Sequence, residues 1–219
     1  MKKIDAHLHL AKVLAGYCRR GELRAVGGGK AQWGNGEVFQ LLPTTGEYGE
    51  ESFTAEQALA IMDRNDVERA VLMNGSMYGL QNIYHEELLE KYPDRFCPSC
   101  EVDPFMTNHI EALTRFFEEK HFHLAKFEVS SGGGLMGCHD PFDLSGDRMM
   151  EIYKLVEKNK GAQNLVFVGI RRRGEPIAEL VCENIQMIEG VKVPCGSIDI
   201  RFYRDDLTTV SEAPNVRKA

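Results

Sequence analysis

From residue 55 to residue 158 the chain alternates amphipathic helical patterns with short apolar runs, at roughly 25 to 40 residues per unit. That alternation constrains the fold more than any other feature. Strands separated by helices cannot close as hairpins; they align in parallel, with the helices covering the sheet. KKIDAHLHL (2–10) reads as the first strand. The pattern continues as helix AEQALAIMDRNDV, strand ERAVLMNG, helix IYHEELLEKYPDRF, strand CPSCEVDP, helix HIEALTRFFEEKH, strand LAKFEVS, loop SSGGGLMG and helix GDRMMEIYKLVEKN. About four such units are complete by residue 158, and an eight-unit barrel takes ~250 residues. The expected fold is therefore α/β, a partial (β/α)8 barrel. Residues 11–52, with GGG at 27–29 and GNG at 34–36, read as one long glycine-rich connector, a kind of loop that is usually functional. Ser52 or Thr54 is the candidate N-cap of the helix that follows.

The pattern then changes. NKGAQNLVFVGIRRRGEPIAELVCENIQMIEG restarts as strand, arginine-rich turn and helix, and VKVPCGSIDIRFYRDDL reads as strand, turn, strand without an intervening helix. TTVSEAPNVRKA is a polar tail. A boundary near residues 158–162 divides the chain into domains 1–158 and 159–219.

With 26 Lys and Arg against 33 Asp and Glu, the net charge of −7 argues against a broad nucleic-acid footprint, which needs clustered cations. No apolar run approaches the ~20 residues of a membrane span. The opening MKKIDAHLHLAKVLAG has the lysines of a signal peptide, but Asp5, His7 and His9 interrupt its apolar stretch, so the expected location is cytoplasmic. Six cysteines are then reduced thiols. Cys97-Pro-Ser-Cys100 lies in an apolar strand pattern and has no second pair at zinc-finger spacing, so it reads as core cysteine rather than a redox or metal pair.

His7 and His9, at i and i+2 on a strand, face the same way. At the carboxyl end of a first barrel strand that face looks into the catalytic mouth. Two neutral imidazoles so spaced can grip one divalent cation, with zinc the common choice and manganese an alternative. The alternative is two half-buried histidines satisfied by hydrogen bonds. His121 and His123 repeat the spacing, but between a helix end and a strand start, where solvent exposure is expected.

IDAHLHL, GELRAVGGGKAQW, MDRNDVERAVLMNGSMYGLQN, YPDRFCPSCEVDPF and LAKFEVSSGGGLMG resemble, in order, an amidohydrolase-related family of metal-dependent hydrolases and non-oxidative decarboxylases, over about residues 1–157. The resemblance implies that His7 and His9 are metal ligands. It further implies that Lys126 (carboxylated) or Glu128, which share a strand face, can ligate or bridge a metal; an ion pair supporting the strand end is the competing reading. The family's remaining ligands would fall beyond residue 158, where no matching positions exist. His139 in the GCHDPF loop, with Arg20 and Arg24 in the connector, are candidates for contact with a small-molecule, carboxylate-bearing substrate. No residue is assignable as catalytic.

Residues 159–214 are similar to another family, the bifunctional pyrimidine-operon attenuator/uracil phosphoribosyltransferases, which implies a partial type I phosphoribosyltransferase-like α/β segment. In that family the GIRRRG loop meets pyrophosphate, a role that would fall on Arg171, Arg172, Arg173 and Gly174. Guanidinium groups beside a helix N-terminus suit phosphate oxygens. Asp205-Asp206-Leu207-Thr208-Thr209 mimics the family's phosphoribosyl signature, but no apolar strand end precedes it and no glycine follows, so it is not that signature. Both halves stop before the chemistry of their families is complete. The expectation is a chimeric chain with an incomplete hydrolase or decarboxylase site, or alternatively a phosphate- or pyrimidine-nucleotide-binding regulator. The open half-barrel edge is expected to lead to homo-oligomerisation, to instability, or to covering by residues 163–203.

Overall fold

The computed structural model describes residues 3–130, 134–158, 167–170 and 174–198. It is mixed α/β, and its contacts separate into two compact units, Met1–Leu155 and Val156–Ala219.

The larger unit is built on the parallel strands β1 (Lys3–Leu8), β6 (Val67–Leu72) and β7 (Phe96–Pro98), ordered β1-β6-β7. The chain extends this order by one more step. Cys100 N–H donates to Leu124 O and Lys126 N–H to Cys100 O, both at 2.9 Å, so the LAKFE segment lies parallel beside the end of β7. It makes a single bridge rather than the regular strand expected, because Glu101 replaces the next rung: its Oε1 accepts from Glu128 N–H at 3.1 Å.

Helices α1 (Ala55–Arg64), α2 (Asn82–Lys91) and α3 (His109–Thr114) connect successive strands. In α1 the buried residues Ala55, Ala58 and Met62 fall at helical spacing, and Thr54 rather than Ser52 is the N-cap, with the Gln57 side chain returning to Thr54 N–H at 2.8 Å. Tyr84 of α2 accepts from Ala55 N–H at 2.7 Å, tying the two helices together where α1 begins. These helices and strands bury Leu10, Phe53, Met62, Leu72, Leu88 and Phe96 in one core. The helix expected over 109–121 ends earlier: after Thr114 the chain widens into a π-type turn, Arg115–Glu119, and Lys120 N–H reaches back to Arg115 O. That turn buries Phe116 and Phe117. The last helix of the pattern is α4 (Asp147–Lys158).

The expectation of an unstructured connector over residues 11–52 is wrong. This segment forms an antiparallel meander of β2 (Ala15–Cys18), β3 (Gly21–Gly27), β4 (Lys30–Trp33) and β5 (Val38–Gln40). The glycines that suggested a loop sit at its turns: Gly21, Gly27, Gly28, Gly29 and Gly36 all have positive φ. Between them the alternation is that of a half-buried sheet, with Leu23, Ala31 and Trp33 turned into a second core with Leu14 and Cys18.

In the smaller unit β8 (Phe167–Ile170) and β9 (Cys195–Ile198) pair in parallel, with α5 (Gly174–Glu189) as the crossover. The expected strand at VKV does not form; residues 191–194 are irregular, and Pro194 has no N–H to offer a ladder. The rest of the expected strand–turn–strand, from residue 199 on, lies outside the described residues. Among the described residues no helix is long and apolar enough to cross a membrane.

Candidate active site

The polar groups of the larger unit collect at the carboxyl ends of its parallel strands. His7 is the last residue but one of β1, and His9 follows the strand directly. Their Nε2 atoms lie 3.0 Å apart, with the rings edge to face. His9 Nδ1–H donates to Met73 O at 2.9 Å, at the end of β6. That bond assigns the His9 proton to Nδ1 and leaves its Nε2 as a bare acceptor, toward which His7 Nε2–H points. Burial, reinforced by the Lys126 ammonium, holds His7 below its usual range and pushes His9 down to about 3. Both rings are therefore neutral at physiological pH, the state a metal requires.

Lys126 and Glu128 come from the fourth parallel segment. Lys126 Nζ is 2.8 Å from Glu128 Oε2, and its head lies close over Gly75. Burial raises the Glu128 carboxyl, but the Lys126 ammonium outweighs it and leaves the group below its ordinary value. The ion pair places a positive charge beside both histidines, which weakens the case for a cation there unless Glu128 or another anion offsets it.

Glu101, which the sequence pattern did not single out, is the least ordinary residue of this cluster. It is fully buried, Oε1 accepts from Glu128 N–H, and Oε2 has no hydrogen-bond partner. Burial raises its carboxyl to about 7, with Lys126 partly opposing the shift. Its backbone is clamped by Asn82, whose Nδ2 donates to Glu101 O at 2.7 Å and whose Oδ1 accepts from Glu101 N–H at 3.0 Å. Asn74, also buried, donates to Asn82 Oδ1 at 2.7 Å and accepts from the N–H groups of Gly75 and Gln81. A glutamate inside an otherwise apolar strand, PSCEVDP, was the signal available for it.

His139 Nε2 lies 2.7 Å from Asp103 Oδ2, and its ring packs on Phe105 with centroids 4.4 Å apart. Tyr17 of β2, whose hydroxyl burial pushes up to about 12, is raised further by the Asp103 and Glu101 carboxyls. His139 thus joins the strand-end cluster through Asp103. Arg20 and Arg24 do not: they sit on the exposed face of the meander, paired with Glu37 at 2.8 Å and Glu22 at 3.4 Å. His121 and His123 are exposed, as the spacing argument expected. Cys100 is buried and its thiol is pushed up to about 12 by that burial, whereas Cys97 is exposed. Arg171, Arg172 and Arg173 lie outside the described residues, and Gly174 is the first residue of α5.

Two converging imidazoles, one fixed by a carbonyl behind it, fit a shared divalent cation. A catalytic zinc takes at least three protein ligands, and among the described residues no group of three His, Cys, Asp or Glu could hold a metal. The fit is that of a two-donor half site.

No protein-family model matches the chain. A stretch of 64 residues, 29% of the chain, is 55% identical to the Bifunctional protein PyrR of Clostridium perfringens and covers 36% of that protein. The corresponding figures for Caldicellulosiruptor saccharolyticus PyrR are 58% identity over 64 residues and 35% coverage. The chain spans about a third of the length of these relatives. Among solved structures, 2,6-dihydroxybenzoate decarboxylase from Rhizobium is similar at 19% identity and a TM-score of 0.39, covering 60% of this chain and 43% of that one. A probable 2-pyrone-4,6-dicarboxylic acid hydrolase from Acinetobacter baumannii is similar at 13% identity and a TM-score of 0.47, covering 90% of this chain and 58% of that one. The chain is thus of two parts, a PyrR-like stretch of 64 residues and a larger remainder that these PyrR relatives do not match.

Proposed function

We propose that the larger unit is the first half of a (β/α)8 barrel of amidohydrolase type, carrying a metal-assisted site for hydrolysis or decarboxylation of a small carboxylate-bearing substrate. The observation that carries this reading is the His7–His9 pair, its Nε2 atoms 3.0 Å apart and His9 Nδ1 anchored to Met73 O. His7 and His9 would hold a divalent cation, zinc or manganese, which when bound supplies Lewis acidity toward water or a substrate carboxylate. The chain's own residues provide the rest. Lys126 offers a cation for a substrate carboxylate once Glu128 yields, and Glu101 offers a buried carboxyl able to exchange a proton near neutrality. Among the described residues β1 is the outer strand of its sheet, and its Ile4 is 67% exposed, which makes self-association part of the same reading, in a cytoplasmic setting.

The test is metal content of the purified full chain after dialysis without chelator. Bound zinc or manganese that is lost in His7→Ala/His9→Ala supports the site. Metal retained in the double variant, or none in the parent, overturns it.

A second reading concerns the smaller unit and rests on the PyrR-like stretch. There Arg171, Arg172 and Arg173, just ahead of the α5 N-terminus at Gly174, form a phosphate site of phosphoribosyltransferase type. A uridine nucleotide that raises Tm in the parent and leaves an Arg171→Ala/Arg172→Ala/Arg173→Ala variant unmoved supports it; equal shifts in both discard it.

A further inference from the structure

Glu101 is fully buried, but two residues further along the same run Asp103 meets His139 where solvent still reaches both. His139 Nε2 lies 2.7 Å from Asp103 Oδ2, with side-chain exposures of 24% and 15%. Asp103 is fixed independently of His139. Its Oδ1 accepts from Phe105 N–H at 2.9 Å, and its carbonyl accepts from Met106 N–H at 3.0 Å. From α4, Arg148 donates to Pro104 O at 2.9 Å and stands over the Phe105 ring, 5.0 Å from its centroid. The loop carrying His139 is fixed as well. His139 N–H donates to Leu135 O at 3.0 Å, and Leu135 N–H donates to Glu128 O at 2.8 Å, which pins the loop to the end of the fourth parallel segment. Gly134 lies so close to the Glu128 carbonyl that a Cβ would collide with it, so the pin requires glycine. Phe105 covers one face of the imidazole, ring centroids 4.4 Å apart. An ionised carboxylate only accepts, so the His139 proton sits on Nε2 and Nδ1 carries the lone pair. Among the described residues none is hydrogen-bonded to that Nδ1.

We propose that Asp103 and His139 form the proton-transfer pair of a hydrolytic site for an aryl carboxylic ester, with His139 as the catalytic base and Asp103 as its positioning residue. The inference rests on the hydrolytic reading above for placing the reaction at these strand ends. A carboxylate that fixes the tautomer and orientation of an imidazole, and stabilises the imidazolium once it forms, makes that histidine a general base. Phe105 and Met106, 37% and 39% exposed, leave apolar surface beside the pair, which suits an aryl group. A water at His139 Nδ1 gives up a proton to it as the water oxygen bonds to the acyl carbon. The tetrahedral adduct collapses, the bond from acyl carbon to aryl oxygen breaks, and the aryl oxide leaves with the electron pair. The imidazolium returns its proton to the aryl oxide. Ester and water become carboxylic acid and phenol, and His139 ends neutral.

The test is hydrolysis of p-nitrophenyl acetate by the full chain with EDTA present, followed as steady-state release of p-nitrophenolate above buffer. The parent should exceed His139→Gln and Asp103→Asn by about 10²-fold, the lower end of what a positioned base supplies. In Asp103→Asn, Phe105 N–H keeps the amide oxygen, so the amide N–H faces Nε2 and the ring proton moves to Nδ1. His121→Asn, a change at an exposed histidine away from the pair, should hydrolyse as the parent does. His139→Ala should regain rate when imidazole is added, and the parent's rate should fall in deuterium oxide; a folding defect produces neither effect. His139→Gln as fast as the parent, a burst of acyl-enzyme without an isotope effect, or His139→Ala that imidazole does not rescue overturns the proposal. EDTA keeps this outcome separate from the reading of His7 and His9, which the metal content of the chain decides.

Discussion

His7 Nε2 lies 3.0 Å from His9 Nε2, a separation that a single proton or a single cation can occupy. Because Met73 O takes the Nδ1 proton of His9, the metal-free pair has one arrangement: His9 as the Nδ1–H tautomer and His7 donating through Nε2. Long-range proton–nitrogen correlation spectra should show a protonated Nδ1 and an unprotonated Nε2 for His9. Adding zinc should shift both Nε2 resonances together. A His9 that carries its proton on Nε2 would remove the basis for a shared site.

Acid should weaken the fold before it protonates the buried histidines. His9 is held at about 3 and His85, buried in α2 with Nδ1–H donating to Ser99 O, at about 4, both through burial. The unfolded chain takes up these protons near pH 6.5 and the folded chain does not. The stability is therefore fully present above about 6.5 and declines as pH falls toward the folded values, by at most about 1.4 kcal/mol per pH unit and per group. Urea unfolding at pH 7, 6 and 5 should show the decline, and His9→Gln should make it shallower.

Glu101 acts in the opposite sense. Its carboxyl is raised to about 7, so the folded state binds the proton that the unfolded state releases near 4.5. Stability from this group is present in acid and is lost as pH rises between those values. Glu101→Gln keeps an oxygen for Glu128 N–H and removes the ionisation. The variant should match the parent at pH 5 and exceed it at pH 8, by roughly 1–3 kcal/mol. Equal stabilities at both pH values would mean that the carboxyl is solvated.

How much of this was legible in the sequence follows from what each residue had to do. The βα alternation and the facing of His7 and His9 could be read because they depend on periodicity within one element. The meander was missed because its glycines were read as those of one long connecting loop, when they are the turn residues of a sheet whose alternation lies in GELRAVG and KAQW. Glu101, Asn82 and Asn74 were missed for a different reason. Their partners lie 19, 8 and 25 positions away, and only the strand order brings them together. The ion pairs of Arg20 and Arg24 on the meander depend on the same hidden register.

Gly16 tests the meander directly. A Cβ there would collide with the Met77 carbonyl in the short 3-10 turn Ser76–Tyr78, backbone against backbone, so β2 or the turn would have to move. Gly16→Ala should destabilise the larger unit by more than ~2 kcal/mol, as overpacking against fixed atoms does. A substitution at Gly36, where a Cβ meets nothing but φ is positive, should cost less, about 1 kcal/mol. Comparing the two Tm values checks whether the segment packs as a sheet or drifts as a loop.

Asn82 gives the sharpest test of the strand-end cluster, because it positions Glu101 without being titratable itself. Its amide donates to Glu101 O, accepts from Glu101 N–H, and accepts from Asn74 Nδ2. Asn82→Ala leaves those three groups short of a partner in a site where Asn74 and Glu101 are buried, which should cost about 2–4 kcal/mol in urea unfolding. Asn82→Asp separates the clamp from general packing. It keeps both acceptances and loses only the donation to Glu101 O, while placing a negative charge near the Glu101 carboxyl. That charge should raise the Glu101 carboxyl further, so this variant should lose stability more steeply than the parent as pH rises above 7. A pH-independent loss in Asn82→Asp would mean that Asn82 supports the backbone alone and has no electrostatic hold on Glu101.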